Sequence, residues 1–159
     1  ITKGVAKIKK LILEGKCFEP IELGNVEAKR DWSDAEDFVE GIWLMLNQDK
    51  PKEYVLSSNE THTIKEFVLQ AFKAADIDGV WNGNGLNEQF SISVNDLKKY
   101  QSNSSVLVKI NPKFFRPAEV DVLLGDSSKA RNELKWSPKT SFEQLVNKMV
   151  KTDLKQIGL

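Results

Sequence analysis

The segment from 33 to 46 constrains the fold most strongly, because it has both the start signal and the spacing of an amphipathic helix. Ser33 and Glu36 show the S-x-x-E pattern of a capping box, in which each side chain bonds a backbone N–H that the helix leaves unpaired. Apolar residues then recur on one helical face, namely Ala35, Phe38, Val39, Ile42, Trp43 and Leu46. We therefore predict a helix whose apolar face is covered by the rest of the chain.

The same helical pattern recurs along the chain, with short strand-like segments between the helices. Capping boxes are predicted at Thr63 with Glu66 and at Thr140 with Glu143, each followed by apolar residues at helical spacing. A further amphipathic helix is predicted over 1–14. The other predicted elements are strands at 17–23, 53–57, 79–81, 90–94 and 106–110, a polar loop at 95–105 and a helix at 127–136. Helices that alternate with buried strands indicate an α/β layout.

Size, charge and cysteine content exclude several classes of protein. The 159 residues are enough for one domain, so we expect a single domain or part of one over 1–159. The 23 basic and 23 acidic residues balance, which argues against binding to nucleic acid or to an anionic membrane surface. The single cysteine, Cys17, fits a reducing compartment. The chain starts at Ile1 inside a helical pattern, so we expect it to be a fragment of something longer.

Two arginines are candidates for binding an anionic ligand, because each lies at a junction flanked by aromatic residues. Arg30 precedes the predicted helix, and Arg116 is followed by a proline, which restricts its backbone. Two guanidinium groups with the Glu119 carboxylate would suit a diphosphate and a sugar or base hydroxyl. The alternative is structural ion pairing, of Arg30 with Asp31 or Glu36, and of Arg116 with Glu119 or Asp121.

The sequence lacks the motifs that usually carry catalysis. It has no G-x-G-x-x-G fingerprint after a strand, no Tyr-x-x-x-Lys pair and no zinc-ligand spacing. His62 is the only histidine, and we expect it to pack against a helix start instead of serving in a triad. The residues themselves therefore predict a domain that binds a ligand without transforming it.

Taken together, LGNVEAKRDWSDAEDFVEGIWLML, FFRPAEVD, LLGDSSKARNELKWSP and FEQLVNKMV resemble the C-terminal part of the GDP-mannose 4,6-dehydratases, which are extended short-chain dehydrogenases/reductases. The similarity covers nearly the whole chain, and 13–20 and 95–112 diverge. The resemblance implies an α/β fold, the C-terminal substrate-binding portion of an extended Rossmann-type enzyme whose cofactor-binding half is not in this chain. It also implies a cytoplasmic homo-oligomer of the complete enzyme.

The resemblance further implies an NADP-dependent reaction on GDP-mannose, with oxidation at C4, loss of water across C5 and C6, and return of the hydride to C6. The cofactor loop and catalytic residues of that family precede the matched region, so this chain alone is expected to be inactive. By motif position, Arg30 and Arg116 would contact the diphosphate and ribose, Glu119 a hydroxyl or the base, and Asn25 would lie beside the nucleotide. A non-catalytic nucleotide-sugar binding module, or a related epimerase or reductase, stays open as an alternative.

Overall fold

The computed structural model describes residues 1–100, 104–115, 120 and 122–159. Its helices are α1 Thr2–Leu13, α2 Ala35–Leu46, α3 Ile64–Ala74, α4 Val94–Tyr100 and α5 Phe142–Gln156. Its strands are β1 Ile21–Leu23, β2 Lys29–Arg30, β3 His62–Thr63, β4 Gly79–Asn82, β5 Gln89–Ile92, β6 Val106–Ile110 and β7 Val122–Leu123. Short 3₁₀ turns cover Gly85–Asn87 and Pro112–Phe114, and a π-helical turn covers Ala130–Leu134.

The strands form two sheets. The larger has the order β1-β6-β5-β4, in which β1 and β6 run parallel and the other pairs are antiparallel. The smaller has the order β3-β2-β7, with β2 antiparallel to β3 and parallel to β7. The strand that carries Arg30 is thus held on both sides by backbone hydrogen bonds.

One large apolar core and one small cluster stabilise the structure. In the large core, α1, α3 and α5 pack together against the larger sheet. Its fully buried side chains include Val5, Val68, Phe72, Phe90, Leu107, Val108, Val146 and Val150. The small cluster is centred on Ala130, Leu134 and Trp136 and is partly covered by Phe38, Leu44, Met45, Tyr54 and Leu56. These two cores place the helices and strands in the α/β arrangement that the sequence predicts.

Several predictions of local structure are confirmed. The helix predicted over 1–14 is α1, and it ends before Gly15, which has a φ of 65°. Thr63 and Glu66 form the predicted reciprocal capping box at the start of α3. The strands predicted at 79–81, 90–94 and 106–110 are β4, β5 and β6. The strand predicted over 17–23 begins only at Ile21 and lies at an edge of the larger sheet.

Two predicted capping boxes are wrong by one residue. At α2 the N-cap is Asp34, whose carboxylate accepts from the Glu36 N–H at 3.0 Å, whereas the Ser33 hydroxyl is buried without a hydrogen-bond partner in the described structure. At α5 the box is formed by Ser141 and Gln144 in place of Thr140 and Glu143. Either pair of residues fits the sequence pattern, and tertiary contacts decide between them. At α5, the Thr140 N–H already donates to the buried Asp37 carboxylate, at 3.0 Å.

The expectation that the rest of the described chain covers the apolar face of α2 is wrong. Trp43 is 65% exposed and Leu46 is 76% exposed, and Val39 and Ile42 are also exposed. The helix instead turns Phe38, Leu44 and Met45 toward the small cluster. Gly41 allows this approach, because a β-carbon there would lie 2.8 Å from Leu56.

Two other elements differ from the prediction. Residues 53–57 do not form a strand, since none of the described strands pairs with them, and Val55 is 52% exposed. The polar loop predicted over 95–105 is α4 for most of its length, because the Ser93 hydroxyl accepts from the Asp96 N–H and starts a helix. Residues 101–103 lie outside the described residues. No described helix combines the length and apolar character needed to cross a bilayer.

Candidate functional site

The turn after β1 and the segment after β6 meet at one place. The Asn111 N–H donates to the Leu23 carbonyl at 2.8 Å, which continues the parallel pairing of β1 with β6. One residue further, a β-carbon on Gly24 would lie 2.2 Å from the Phe114 carbonyl oxygen. Only glycine allows this approach, so Gly24 brings the turn into direct contact with the residues that lead to 116–119.

Asn25 lies in this turn and borders a cavity. Its side-chain oxygen accepts from the Glu27 N–H at 3.0 Å, which fixes a tight Asx turn. The cavity has a volume of about 300 Å³, and Ile110 and Phe115 form part of its wall. Asn25 is predicted to lie beside a nucleotide, and its contact with a ligand stays a prediction.

Arg30 lies in β2, the middle strand of the smaller sheet. Its guanidinium donates to the Lys29 carbonyl at 2.8 Å and to the Val120 carbonyl at 2.9 Å. Val120 is the residue directly after 116–119, so Arg30 is bonded to the first described residue beyond that range. The predicted site residues Arg116 and Glu119 lie outside the described residues, and their roles and ion pairs stay predictions.

Asp31, which directly follows Arg30, anchors the end of β2. The Asp31 carboxylate accepts from the Ser58 N–H at 2.9 Å, the Ser58 hydroxyl at 2.6 Å and the Asn59 N–H at 3.2 Å. A carboxylate with several donors is a strong anchor, so Asp31 joins the loop at 58–59 to the strand that carries Arg30. Glu36, the other predicted partner of Arg30, pairs with Lys148 at 2.8 Å.

A charged cluster that the sequence did not indicate lines the same cavity. The Lys65 ammonium donates to Glu27 at 2.8 Å and to the buried Glu88, and the Lys65 N–H donates to the Val26 carbonyl at 2.9 Å. The hydrogen bonds that Lys65 donates to Glu27 and then to Glu88 raise the pKa of Lys65, so its ammonium stays charged. Lys65 is 38 residues from Glu27 and 23 from Glu88, and no local pattern connects residues so far apart.

His62 has the packing role expected for it. Its ring stacks on Phe142 with centroids 3.8 Å apart, and Nδ1 lies 3.6 Å from the Glu66 carboxylate at the start of α3. In the described part of the chain, no group of three or more acidic, histidine or cysteine side chains is arranged to hold a metal ion.

Solved structures with low sequence identity to this chain share its fold. RMD from Pseudomonas aeruginosa, complexed with NADPH, aligns over 98% of this chain and 42% of its own, with a TM-score of 0.67 and 14% identity. UDP-glucose 4-epimerase from Bifidobacterium longum, in complex with NAD⁺ and UDP, aligns over 99% of this chain and 39% of its own, with a TM-score of 0.61 and 16% identity. The fold is that of the C-terminal part of the extended short-chain dehydrogenases/reductases.

The particular family follows from sequence. The GDP-mannose 4,6 dehydratase family model matches residues 1–149, and the chain belongs to that family. The GDP-mannose 4,6 dehydratase of Drosophila melanogaster is 46% identical over 154 residues, which are 97% of this chain and 36% of that relative. The chain therefore spans just over a third of that curated relative, and the matched part is C-terminal.

Proposed function

We propose that this chain is the substrate-binding portion of a GDP-mannose 4,6-dehydratase, a lyase of the GDP-fucose pathway, and that it binds the GDP part of GDP-mannose. One observation supports the proposal: Gly24 packs against Phe114 and Arg30 donates to the Val120 carbonyl, so the turn after β1 and strand β2 contact described residues on either side of 116–119. A guanidinium held in this way suits a diphosphate, because its planar fork can donate two parallel hydrogen bonds to phosphate oxygens.

The proposed assignment gives each candidate residue a task. Arg30 and Arg116 bind the diphosphate and the nearby ribose, Glu119 accepts a hydrogen bond from a hydroxyl or the base, and Asn25 lies beside the nucleotide. These residues bind and orient the substrate, and none of them is assigned to the chemical step. Remote binding of this kind contributes to catalysis by fixing the reacting sugar in position.

We assign NADP, which supplies hydride transfer when bound, to the part of the longer enzyme that precedes this chain. The residues that the structure describes do not fit a dinucleotide cradle. The glycine-rich segment with Gly83 and Gly85 connects two antiparallel strands through a 3₁₀ turn, whereas the dinucleotide fingerprint needs a strand followed by a helix. The proposed complete enzyme is a cytoplasmic homo-oligomer.

Calorimetric titration with GDP tests the proposal, using the complete polypeptide, that is, the longer enzyme of which this chain is proposed to be a portion. Arg30→Ala should weaken GDP binding by about 2–4 kcal/mol, the usual cost of removing a charged hydrogen-bonded contact, and Arg30→Lys should restore little because an ammonium has no fork. Lys129→Ala is the control, since Lys129 donates to the Glu53 carbonyl and lies over the ring of Tyr54, which packs against the small cluster. Unchanged GDP affinity in Arg30→Ala would refute the assignment.

A further inference from the structure

The smaller sheet, which carries Arg30, is too short to fix its strands by backbone pairing alone. Strands β2, β3 and β7 have two residues each, whereas strands in folded proteins usually have roughly five or six. Arg30 pairs with His62 on one side and with Leu123 on the other. Such short ladders contain few hydrogen bonds, so further contacts are needed to fix the position of Arg30.

The orientation of the Arg30 guanidinium depends on two of these strands. It donates to the Lys29 carbonyl in β2 and to the carbonyl of Val120, which lies two residues before β7. A shift of β7 relative to β2 would move the two acceptors apart, and the guanidinium could not keep both hydrogen bonds. The planar fork binds phosphate oxygens well only at the right angle and distance. The contacts that fix β7 against β2 therefore also fix the direction of Arg30.

Asp31, at the end of β2, is bonded to the loops beside both neighbouring strands. Its Oδ1 accepts from the N–H of Ser58 at 2.9 Å and from the Ser58 hydroxyl at 2.6 Å. Its Oδ2 accepts from the N–H of Asn59 at 3.2 Å and from the N–H of Gly125 at 3.4 Å. Residues 58–59 precede β3, and Gly125 follows β7. One carboxylate thus ties β2 to the segments that hold β3 and β7.

The loop that Asp31 binds is itself fixed by a second set of hydrogen bonds. The Asn59 side-chain oxygen accepts from the N–H of Ser127 at 2.9 Å and from the Ser127 hydroxyl at 2.6 Å. Arg131 donates to the Ser58 carbonyl at 3.0 Å and to the Ser127 hydroxyl at 3.1 Å. Ser127 is completely buried. Asp31 is therefore bonded to a loop that the interior of the protein already holds in place.

We propose that Asp31 is a positioning residue for the diphosphate, because it holds β2 and β7 together so that Arg30 is aimed before the substrate binds. The inference rests on the proposed function, which assigns the diphosphate to Arg30. A side chain already held in its bound orientation loses little conformational freedom on binding, so preorganisation increases affinity. The Asp31 carboxylate would itself repel an anionic diphosphate, so its contribution to binding acts through Arg30.

A double-mutant cycle on the complete polypeptide tests the proposal, with GDP affinity measured by calorimetry. Asn has one side-chain acceptor atom in place of two, so Asp31→Asn leaves the donors of one carboxylate oxygen unpaired. We expect GDP affinity to fall about tenfold, since a displacement of about 1 Å in a binding group can cost about 100-fold. In an Arg30→Ala background, the same substitution should change GDP affinity less than about twofold, because the side chain that Asp31 positions is absent.

The outcomes of the cycle separate this inference from the proposed function. An equal loss of GDP affinity in both backgrounds would show that Asp31 acts on the fold in general, and would overturn the proposal. Wild-type affinity in Asp31→Asn would also overturn it, and the diphosphate site would stand if Arg30→Ala binds GDP weakly. Wild-type affinity in Arg30→Ala would refute the proposed function and this inference with it.

Asp37→Asn is the matched control for loss of stability. The Asp37 carboxylate is buried and accepts from the N–H groups of Lys139 and Thr140, at 3.1 and 3.0 Å. The variant should lower the free energy of unfolding and leave GDP affinity unchanged. A fall in GDP affinity equal to that of Asp31→Asn would show that lost stability alone weakens binding, which contradicts the positioning role.

Ser58→Ala gives a milder test if Asp31→Asn does not fold. It removes the hydroxyl that donates to Asp31 at 2.6 Å and keeps the backbone donors of the loop. We expect GDP affinity to fall about threefold, the effect of one hydrogen bond, and the loss to disappear in the Arg30→Ala background. No loss, or the same loss in that background, would overturn the proposal.

Discussion

Replacing Gly24 by alanine should disrupt the candidate site through one steric contact. The added β-carbon would lie 2.2 Å from the Phe114 carbonyl oxygen, whereas ordinary contacts begin near 3.4 Å, so the two backbones must separate by about 1.2 Å. Overpacking of this kind costs about 1–3 kcal/mol of stability. Gly24 does not have a positive φ, so the cost comes from the contact and not from backbone conformation.

The larger effect is expected on binding. A displacement of about 1 Å in a substrate-positioning segment can reduce activity about 100-fold, and Gly24→Ala moves the turn with Asn25 away from the segment leading to 116–119. We expect GDP affinity, measured by calorimetry on the complete polypeptide, to fall at least about tenfold. Urea unfolding of the same samples reports the accompanying loss of stability.

Gly15→Ala is the control for this experiment. Gly15 follows α1 with a φ of 65° and has open space around it, so alanine there strains the backbone without meeting a neighbour. It should lower stability by about 1–2 kcal/mol and leave GDP affinity unchanged. A folded Gly24→Ala variant with wild-type affinity would show that the contact with Phe114 does not organise the site.

Two more predictions concern the chain itself. The isolated 159 residues should self-associate through Trp43 and Leu46 and the unpaired segment 53–57, and should not bind NADPH. A monodisperse monomer with one cooperative transition, or micromolar NADPH binding by fluorescence, would contradict this. The hydrogen bond from the Glu36 N–H, and then Lys148, lower the pKa of Asp34. The stabilisation by Asp34 should therefore be complete above the unfolded pKa of about 3.9 and be lost as pH falls through the lower folded value. Asp34→Asn should reduce the fall in the free energy of unfolding that urea unfolding measures at acid pH. An unchanged fall would refute the role of Asp34.

Helix positions were more predictable than the surfaces the helices bury. The capping box of Thr63 and Glu66 and the periodicity of α1 and α3 depend on neighbours within one or two turns, so sequence alone predicts them. The apolar face of α2 follows the same periodicity, yet Trp43 and Leu46 are exposed. Periodicity shows that a face is apolar, and only the positions of other segments decide what covers it.

The same distinction between sequence and tertiary structure applies to the candidate site. The sequence by itself suggests Arg30, Arg116 and Glu119 as ligand-binding candidates, and its resemblance to a family adds Asn25 and the kind of ligand, all of which stay predictions. Only the tertiary structure showed that Arg30 bonds the Val120 carbonyl and that Lys65 joins Glu27 to the buried Glu88. Those contacts link residues that are 90, 38 and 23 positions apart. Such pairs come into contact only when the cores form, so no local sequence pattern predicts them.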